Sequence, residues 1–437
     1  MAGSMATNMN AQDIADSETP DTAAPGWMMA RPWAGVVFLM LIGMLNYLDR
    51  VLPAILAEPI KKDLVLSDTV LGIVNGVGFL AIYALASIPI ASQSDRGRYP
   101  AVITFSLGIW SLMTALGGWV VAGWQLALTR CGVALGEAGG MPAAHAFITR
   151  HIPVSSRTTA FSLFTMCLPL GTMAGFIVGG VFGQALGWRH TFMLMGGIGI
   201  ALALLAWLSF GRGAGVASRP RDAGQPQPKF LHLLRKRSLL ATLAGAAFVG
   251  MGGYTSMAFT PAYLMRSHGM TVGEAGVTFG VAGGVVGIIG LIVIGWAADR
   301  LSARDIRWQL GVIIAMILGA LPLSVLAYTA SSTVVAILGA AINLAIAMVY
   351  AAPITAALHR LAPVDLRARV SALLLLATAI LGGLGPLVAG MVSDALKPQF
   401  GADALSHGML VVPAAYLAAA ICFAIALPSF RKEVVSE

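Results

Sequence analysis

Twelve long apolar stretches limit this chain more than any other feature. Each has about 20 residues or more, the length a helix needs to cross the hydrocarbon core of a bilayer. They cover 33–57, 70–92, 100–121, 123–149, 158–184 and 189–210, then 238–266, 272–297, 308–328, 332–359, 366–390 and 405–428. Within lipid every backbone polar group must be paired inside the protein, so only helices and closed barrels span a membrane. A barrel has short segments of alternating polarity, whereas these runs are continuous. Charged residues make up 11% of the chain, against roughly a quarter in soluble domains. The expected fold is an all-α integral membrane protein with 12 transmembrane helices in two pseudo-symmetric six-helix bundles.

Between the sixth and seventh stretches lies GRGAGVASRPRDAGQPQPKFLHLLRKR, residues 211–237. Its Pro, Gly and Arg content reads as a linker. The bundles are therefore expected at 33–210 and 238–428. Residues 1–32 read as a disordered cytoplasmic tail and 429–437 as a short cytoplasmic C-terminal tail. The first 30 residues lack the apolar run of a cleavable signal peptide.

Cationic residues orient the bundle. With the N-terminus in the cytoplasm, twenty of the 27 Lys and Arg fall on the cytoplasmic side. Only Lys61, Lys62, Arg189, Arg266 and Lys397 fall opposite, and Arg50 and Arg130 lie within spans. This asymmetry sets orientation and gives the net charge of +8 a topological origin. No nucleic-acid partner is implied, and the basic loops suit contact with anionic lipid. Localisation in a bacterial inner membrane, with both termini cytoplasmic, follows as the expectation. Cys131, Cys167 and Cys422 all sit in apolar runs and read as packed thiols.

The two halves repeat. SDRGR at 94–98 follows the second span, and ADRLS at 298–302 follows the eighth. PVSSR at 153–157 follows the fourth span, and PVDLR at 363–367 follows the tenth. Two matches at nearly one offset, in equivalent loops, mark an internal duplication. Repeated bundles around a central site are a transporter plan. The segment ASQSDRGRYP and its second copy GWAADRL resemble the loop motif of the major facilitator superfamily, and the likeness extends over about residues 31–430. Ala91 stands where that motif usually has glycine. The resemblance implies a cytoplasmic gate made by Asp95, Arg96, Arg98, Asp299 and Arg300 that favours an outward-open state.

Ionisable side chains within spans mark function by default. The first span has Asp49 and Arg50, and the fourth has Arg130 and Glu137. Arg130 and Glu137 are seven residues apart, which returns them to within about 20° of one helical face, roughly 10 Å along the axis. Counting from the span ends puts Asp49 and Arg130 at similar depth. Asp49 or Glu137 is expected to oppose Arg130, with Arg50 aimed at another acid or at carbonyl oxygens. A carboxylate in a dry site holds a proton unless a cation keeps it ionised, so a change of partner or wetness can load and release one. A static ion pair that fixes helix packing is the alternative. His145 is rotated about 80° from Glu137 and reads as packing, as does His151.

Asn46, Tyr47, Tyr83, Tyr254, Phe259, Tyr263, Asn343 and Tyr350 are the candidate cavity liners. The second half offers aromatics, Asn and Gly in place of charge, which suits an amphipathic substrate. NYLDR, RCGVALGEAGGMPA and GWRHTF together resemble the Spinster lipid transporters. Similar patterns also occur in the organic anion/cation symporter branch, whose members carry sugar acids. The first resemblance implies a lysophospholipid or sphingoid lipid as substrate, and the second a small organic anion. An uncoupled facilitator is the third possibility. The expected partners are the transported solute, protons and membrane lipids, around a monomer. No nucleophile, metal spacing or phosphate loop suggests an enzyme, a metal or a cofactor.

Overall fold

The computed structural model describes residues 27–434 apart from 211–229 and 364–365. The expected N-terminal tail up to residue 26 and most of the linker lie outside the described residues. All regular elements among the described residues are helical.

Twelve crossings are present among the described residues. The first six are Pro32–Ile55, Asp68–Gln93, Arg96–Gly117, a span made of Gly123–Glu137 and Gly140–His151, and then 157–186 and 188–210. The second six are Arg237–Ser267, Val272–Ser302, Trp308–Thr329, Thr333–Arg360, Arg367–Phe400, and a span made of Ala404–Met409 and Val411–Glu433. They are called spans 1 to 12 below. Span 11 runs ten residues past its expected end, and span 12 continues past residue 428. Both chain ends emerge at the same end of the bundle, the tail end; the other is the distal end.

Several spans are broken, span 2 at Gly76 and four others just ahead of a proline. Spans 4, 5, 10 and 12 are interrupted at Ala138–Gly139, Met166, Tyr350 and Leu410. Each break falls three residues or so before a proline: Pro142, Pro169, Pro353 and Pro413. Proline has no N–H for the bond one turn back, and its ring crowds the carbonyl there. Pro142 and Pro353 hold equivalent places in the two halves, which adds to the evidence for duplication. Gly187, at φ 78°, turns the chain between spans 5 and 6.

Spans 1–6 pack as one bundle and spans 7–12 as another. The bundles meet mainly through three span pairs: 2 with 11, 5 with 8, and 1 with 7. Large apolar side chains such as Leu85, Ile88, Phe105 and Ile292 face outward, as lipid contact requires. Exposed tryptophans stand near both ends: Trp33 and Trp308 at the tail end, Trp119 and Trp124 at the distal end, where an indole suits the water–lipid boundary.

The distal half of the bundle interface is sealed by glycine. A Cβ on Gly72, Gly76 or Gly390 would fall within 3 Å of the backbone of the opposing span, at Pro386, Gly383 and Asp68 respectively. On the other side of the molecule, a Cβ on Gly276 would strike the Phe176 carbonyl and the Gly180 Cα. Only glycine lets the backbones meet this closely.

The second bundle carries a buried uncharged network. Ser256 and Thr260 of span 7 meet the Tyr328 hydroxyl of span 9, and the Asn343 amide of span 10 donates to that hydroxyl at 3.2 Å. Tyr416 of span 12 donates to the Asn343 carbonyl. These bonds satisfy polar groups in a dry interior, where unpaired ones are expensive.

Candidate functional site

Asp49, Arg130 and Glu137 are 1%, 4% and 1% exposed. Four ionisable groups in a dry region persist only if each has a partner or a use. Arg50 Nε donates to Glu137 Oε2 at 2.6 Å, in a pair whose side chains are 9% and 0% exposed. Arg130 holds the main-chain carbonyl of Asp49, with Nη1 at 3.4 Å. Thr114 Oγ1 of span 3 donates to Asp49 Oδ2 at 3.1 Å. The expected stripe on span 4 exists, and Arg50 meets an acid as expected, but Arg130 does not. Glu137 goes to Arg50, and among the described residues no carboxylate lies within ion-pairing distance of Arg130. The reason is helical phase: adjacent residues diverge by about 100°, so Asp49 turns toward span 3 while Arg50 turns toward spans 2, 4 and 7.

Aromatic rings complete the surroundings. The Arg50 guanidinium lies 4.5 Å from the Tyr83 ring centre and 5.2 Å from that of Tyr47. Phe79 lies 5.6 Å from Arg50 and 4.8 Å from Arg130. These are cation–π distances, worth most where water is excluded. Asn46 lies close to the Glu137 carboxylate, and Tyr254 of span 7 lies within electrostatic reach of both Arg50 and Glu137. The second bundle thus approaches the charge cluster through a phenol. Among the described residues, Asp49 Oδ1, Glu137 Oε1 and Arg130 Nε have no hydrogen-bond partner. The cluster keeps spare bonding capacity on both acids and on one base.

Position on the chain also matters. Gly136 lets span 4 approach the Trp110 main chain, where a Cβ would come within 3 Å. Glu137 is the last residue of the helical segment before the proline-linked break. The acid therefore sits where span 4 changes direction.

Five of the eight candidate liners gather near this cluster: Asn46, Tyr47, Tyr83, Tyr254, and Tyr350 at the break in span 10, within electrostatic reach of Tyr254. The other three do not. Phe259 is core, 1% exposed. Asn343 belongs to the uncharged network of the second bundle. Tyr263 lies near the distal end, its hydroxyl 2.9 Å from His268 Nε2. Phe79 was not anticipated, since nothing marks one Phe in an apolar span. His145 packs edge-on against Phe161 and Phe164; His151 packs edge-on against Tyr99 and stacks on Phe147.

A second charged group, also unanticipated, clasps the two bundles at the distal end. Arg266 of span 7 donates to both oxygens of Asp68, each at 2.7 Å, and to Glu58 Oε1 at 2.6 Å. Asp68 also accepts from Lys61 Nζ, and from Ser393 Oγ of span 11 at 2.7 Å. Asp394 accepts from the Asp68 and Thr69 main-chain N–H groups and from Thr69 Oγ1, at 3.1, 2.8 and 2.6 Å. Asp68 is 1% exposed. Bonds to charged groups in such surroundings are stronger than neutral ones.

The tail end differs. Arg96, Arg98, Asp299 and Arg300 are all exposed; the Asp95 side chain lies outside the described part. Arg98 bonds Gln93 of its own bundle at 3.1 Å, and Arg300 lies over Trp296 of its own span. The ion pairs between described residues of the two bundles are all distal. The molecule is clasped at one end, with exposed charge at the other.

The Major Facilitator Superfamily profile matches residues 39–386. The chain belongs to that family. An "MFS-type efflux pump" of Mycolicibacterium smegmatis (strain ATCC 700084 / mc(2)155) is 42% identical over 427 residues, covering 98% of this chain and 99% of the relative. A probable galactarate/D-glucarate transporter of Escherichia coli (strain K12) is 25% identical, covering 66% and 71%. Among solved structures, a bacterial homologue of the human lysosomal transporter Spinster, in an inward-facing and unoccupied conformation, superposes with a TM-score of 0.81. It is 27% identical, with 92% of this chain and 98% of that one covered. This protein is an integral membrane transporter of the efflux-pump or Spinster-like type, not an enzyme.

Proposed function

We propose that the transporter works by alternating access, is driven by protons, and moves an amphipathic anionic or zwitterionic substrate such as a lysophospholipid or sphingoid lipid. The buried Arg50–Glu137 pair carries this reading, because a group of the other bundle, Tyr254, lies within electrostatic reach of both its members. When the bundles rock apart, Arg50 loses a phenol and gains water. Its hold on Glu137 weakens, and a carboxylate released from its cation takes up a proton more readily. Asp49, with one oxygen free, and Arg130, with no carboxylate of its own, are positioned to receive the redistributed charge. The tail end faces the cytoplasm in this reading, in accord with its excess of Lys and Arg, and the membrane is the bacterial inner membrane. The exposed tail-end charges Arg96, Arg98, Asp299 and Arg300, with Asp95, form their gate only in the opposite state.

The charge-poor second bundle supports the amphipathic substrate, since it supplies phenols and small residues to the shared wall and no fixed cation. The test is purified protein in liposomes with an imposed pH gradient, supplied with lysophospholipids, sphingoid bases or sugar acids. The expected result is gradient-driven flux of a lipid, abolished by Glu137→Gln in protein that still exchanges substrate in the absence of a gradient. Flux of equal size with and without the gradient overturns the coupling. Uptake of sugar acids alone overturns the substrate class.

A further inference from the structure

A cavity of about 500 Å³ opens at the distal end of the second bundle. It lies in that bundle alone and is separate from the central cluster. Its volume is within the range of sites that hold small organic ligands. The Tyr263 and Tyr328 rings, 5.4 Å apart and nearly perpendicular, contribute one wall. Phe400 and His407, with ring centres 4.2 Å apart, contribute another. Asp403 supplies the carboxylate: Ser267 Oγ donates to its Oδ1 at 3.0 Å. No Lys or Arg lines the cavity.

Both histidines of the lining face neutral groups. His268 has both ring nitrogens within bonding distance of hydroxyls, Tyr263 at 2.9 Å and Thr333 at 3.2 Å. Burial lowers its affinity for a proton, with Asp403 opposing. His407 Nδ1 faces the Asp403 carbonyl at 3.2 Å. One carboxylate, several π faces and no lining cation together select against an anion. They favour a cation with an apolar or planar body, for which aromatic rings and a carboxylate are the complementary surface.

We infer that this distal cavity is a binding site for an organic ammonium group, separate from the transport site. The ammonium comes either from a free amine in the aqueous phase or from the headgroup of a lipid in the adjacent leaflet. Benzyltrimethylammonium, titrated calorimetrically against the full chain in nanodiscs of phosphatidylglycerol, is the direct probe. Saturable binding is expected, weakened about tenfold or more by Asp403→Asn and by Phe400→Ala. Benzylsulfonate, the same body with the opposite charge, should not bind. Nanodiscs that include phosphatidylethanolamine separate the sources. Loss of probe binding there supports the site with a lipid headgroup as its natural occupant, and unchanged binding supports it with a free amine. Equal affinity for wild type and Asp403→Asn, equal binding of the sulfonate, or no saturable binding overturns the assignment. So does binding lost in Glu137→Gln but kept in Asp403→Asn, which would place the probe at the central cluster.

Discussion

Replacing Asp68 by Asn should unfasten the distal end. The substitution keeps the volume and removes the charge that gathers Arg266, Lys61 and Ser393. Lys61 belongs to the same bundle as Asp68, so its contact persists when the bundles separate. The contacts at stake are the two-pronged bond to Arg266 and the Ser393 hydroxyl. Hydrogen bonds to charged groups contribute about 1.5–3 kcal/mol net each. In the separated state Arg266 regains water, and in the clasped state it keeps Glu58. Counting the fork as a single coupled contact gives a loss of about 3 kcal/mol, which is about a hundredfold in the ratio of clasped to open molecules. Spin labels on Val121→Cys and Ser331→Cys, both exposed at the distal end of opposite bundles, read the opening. They are placed on a chain whose three native cysteines are replaced by alanine. Electron–electron distance measurements should show a new, longer population in Asp68→Asn, and a comparable one in Arg266→Gln. A distance distribution identical to that of the parent, in protein that elutes as a folded monomer, would refute the clasp as a determinant of state.

Two further outcomes follow from packing and from the tail end. Gly276→Val should exclude the clasped state as well, because its Cβ meets backbone of span 5; Gly295→Val on the same span meets nothing within 4 Å and should leave the label distances unchanged. Glu433 accepts from the Ser238 main-chain N–H at 3.1 Å and from its hydroxyl, capping span 7 with the end of span 12. Glu433→Ala should lower stability by about 1 kcal/mol, as for loss of a helix cap, read as a lower melting temperature with transport retained.

The spans were legible because a bilayer demands length and hydrophobicity in each one separately. The duplication was legible because two loop signatures recur at matching places. Arg130 and Glu137 were placed on one face by their spacing alone, since a single helix has fixed geometry. The partner of Arg50 was not, because it depends on how spans 1, 2 and 4 rotate against one another, and only packing fixes that. Phe79 carries no mark in an apolar run. The distal clasp was missed for a different reason. Lys61 and Arg266 were read as orientation signals, the part a basic residue plays near most membrane boundaries. Asp394 was missed because it falls beyond residue 390, where span 11 was expected to end. Tyr263 and Asn343 were assigned to the cavity by residue type, yet the bonds they make lie inside their own bundle.

Confinement of the central charge cluster to one bundle has a consequence for how such a carrier changes over generations. The cluster and most of the opposite wall belong to separate halves of a repeated plan, and Tyr254 brings the second half near the first. Substitutions on the wall of the second half can therefore alter which molecules fit without disturbing the acids and bases of the first. A lineage built this way can drift toward new cargo while its charged centre stays intact, and each half answers to a different selective demand.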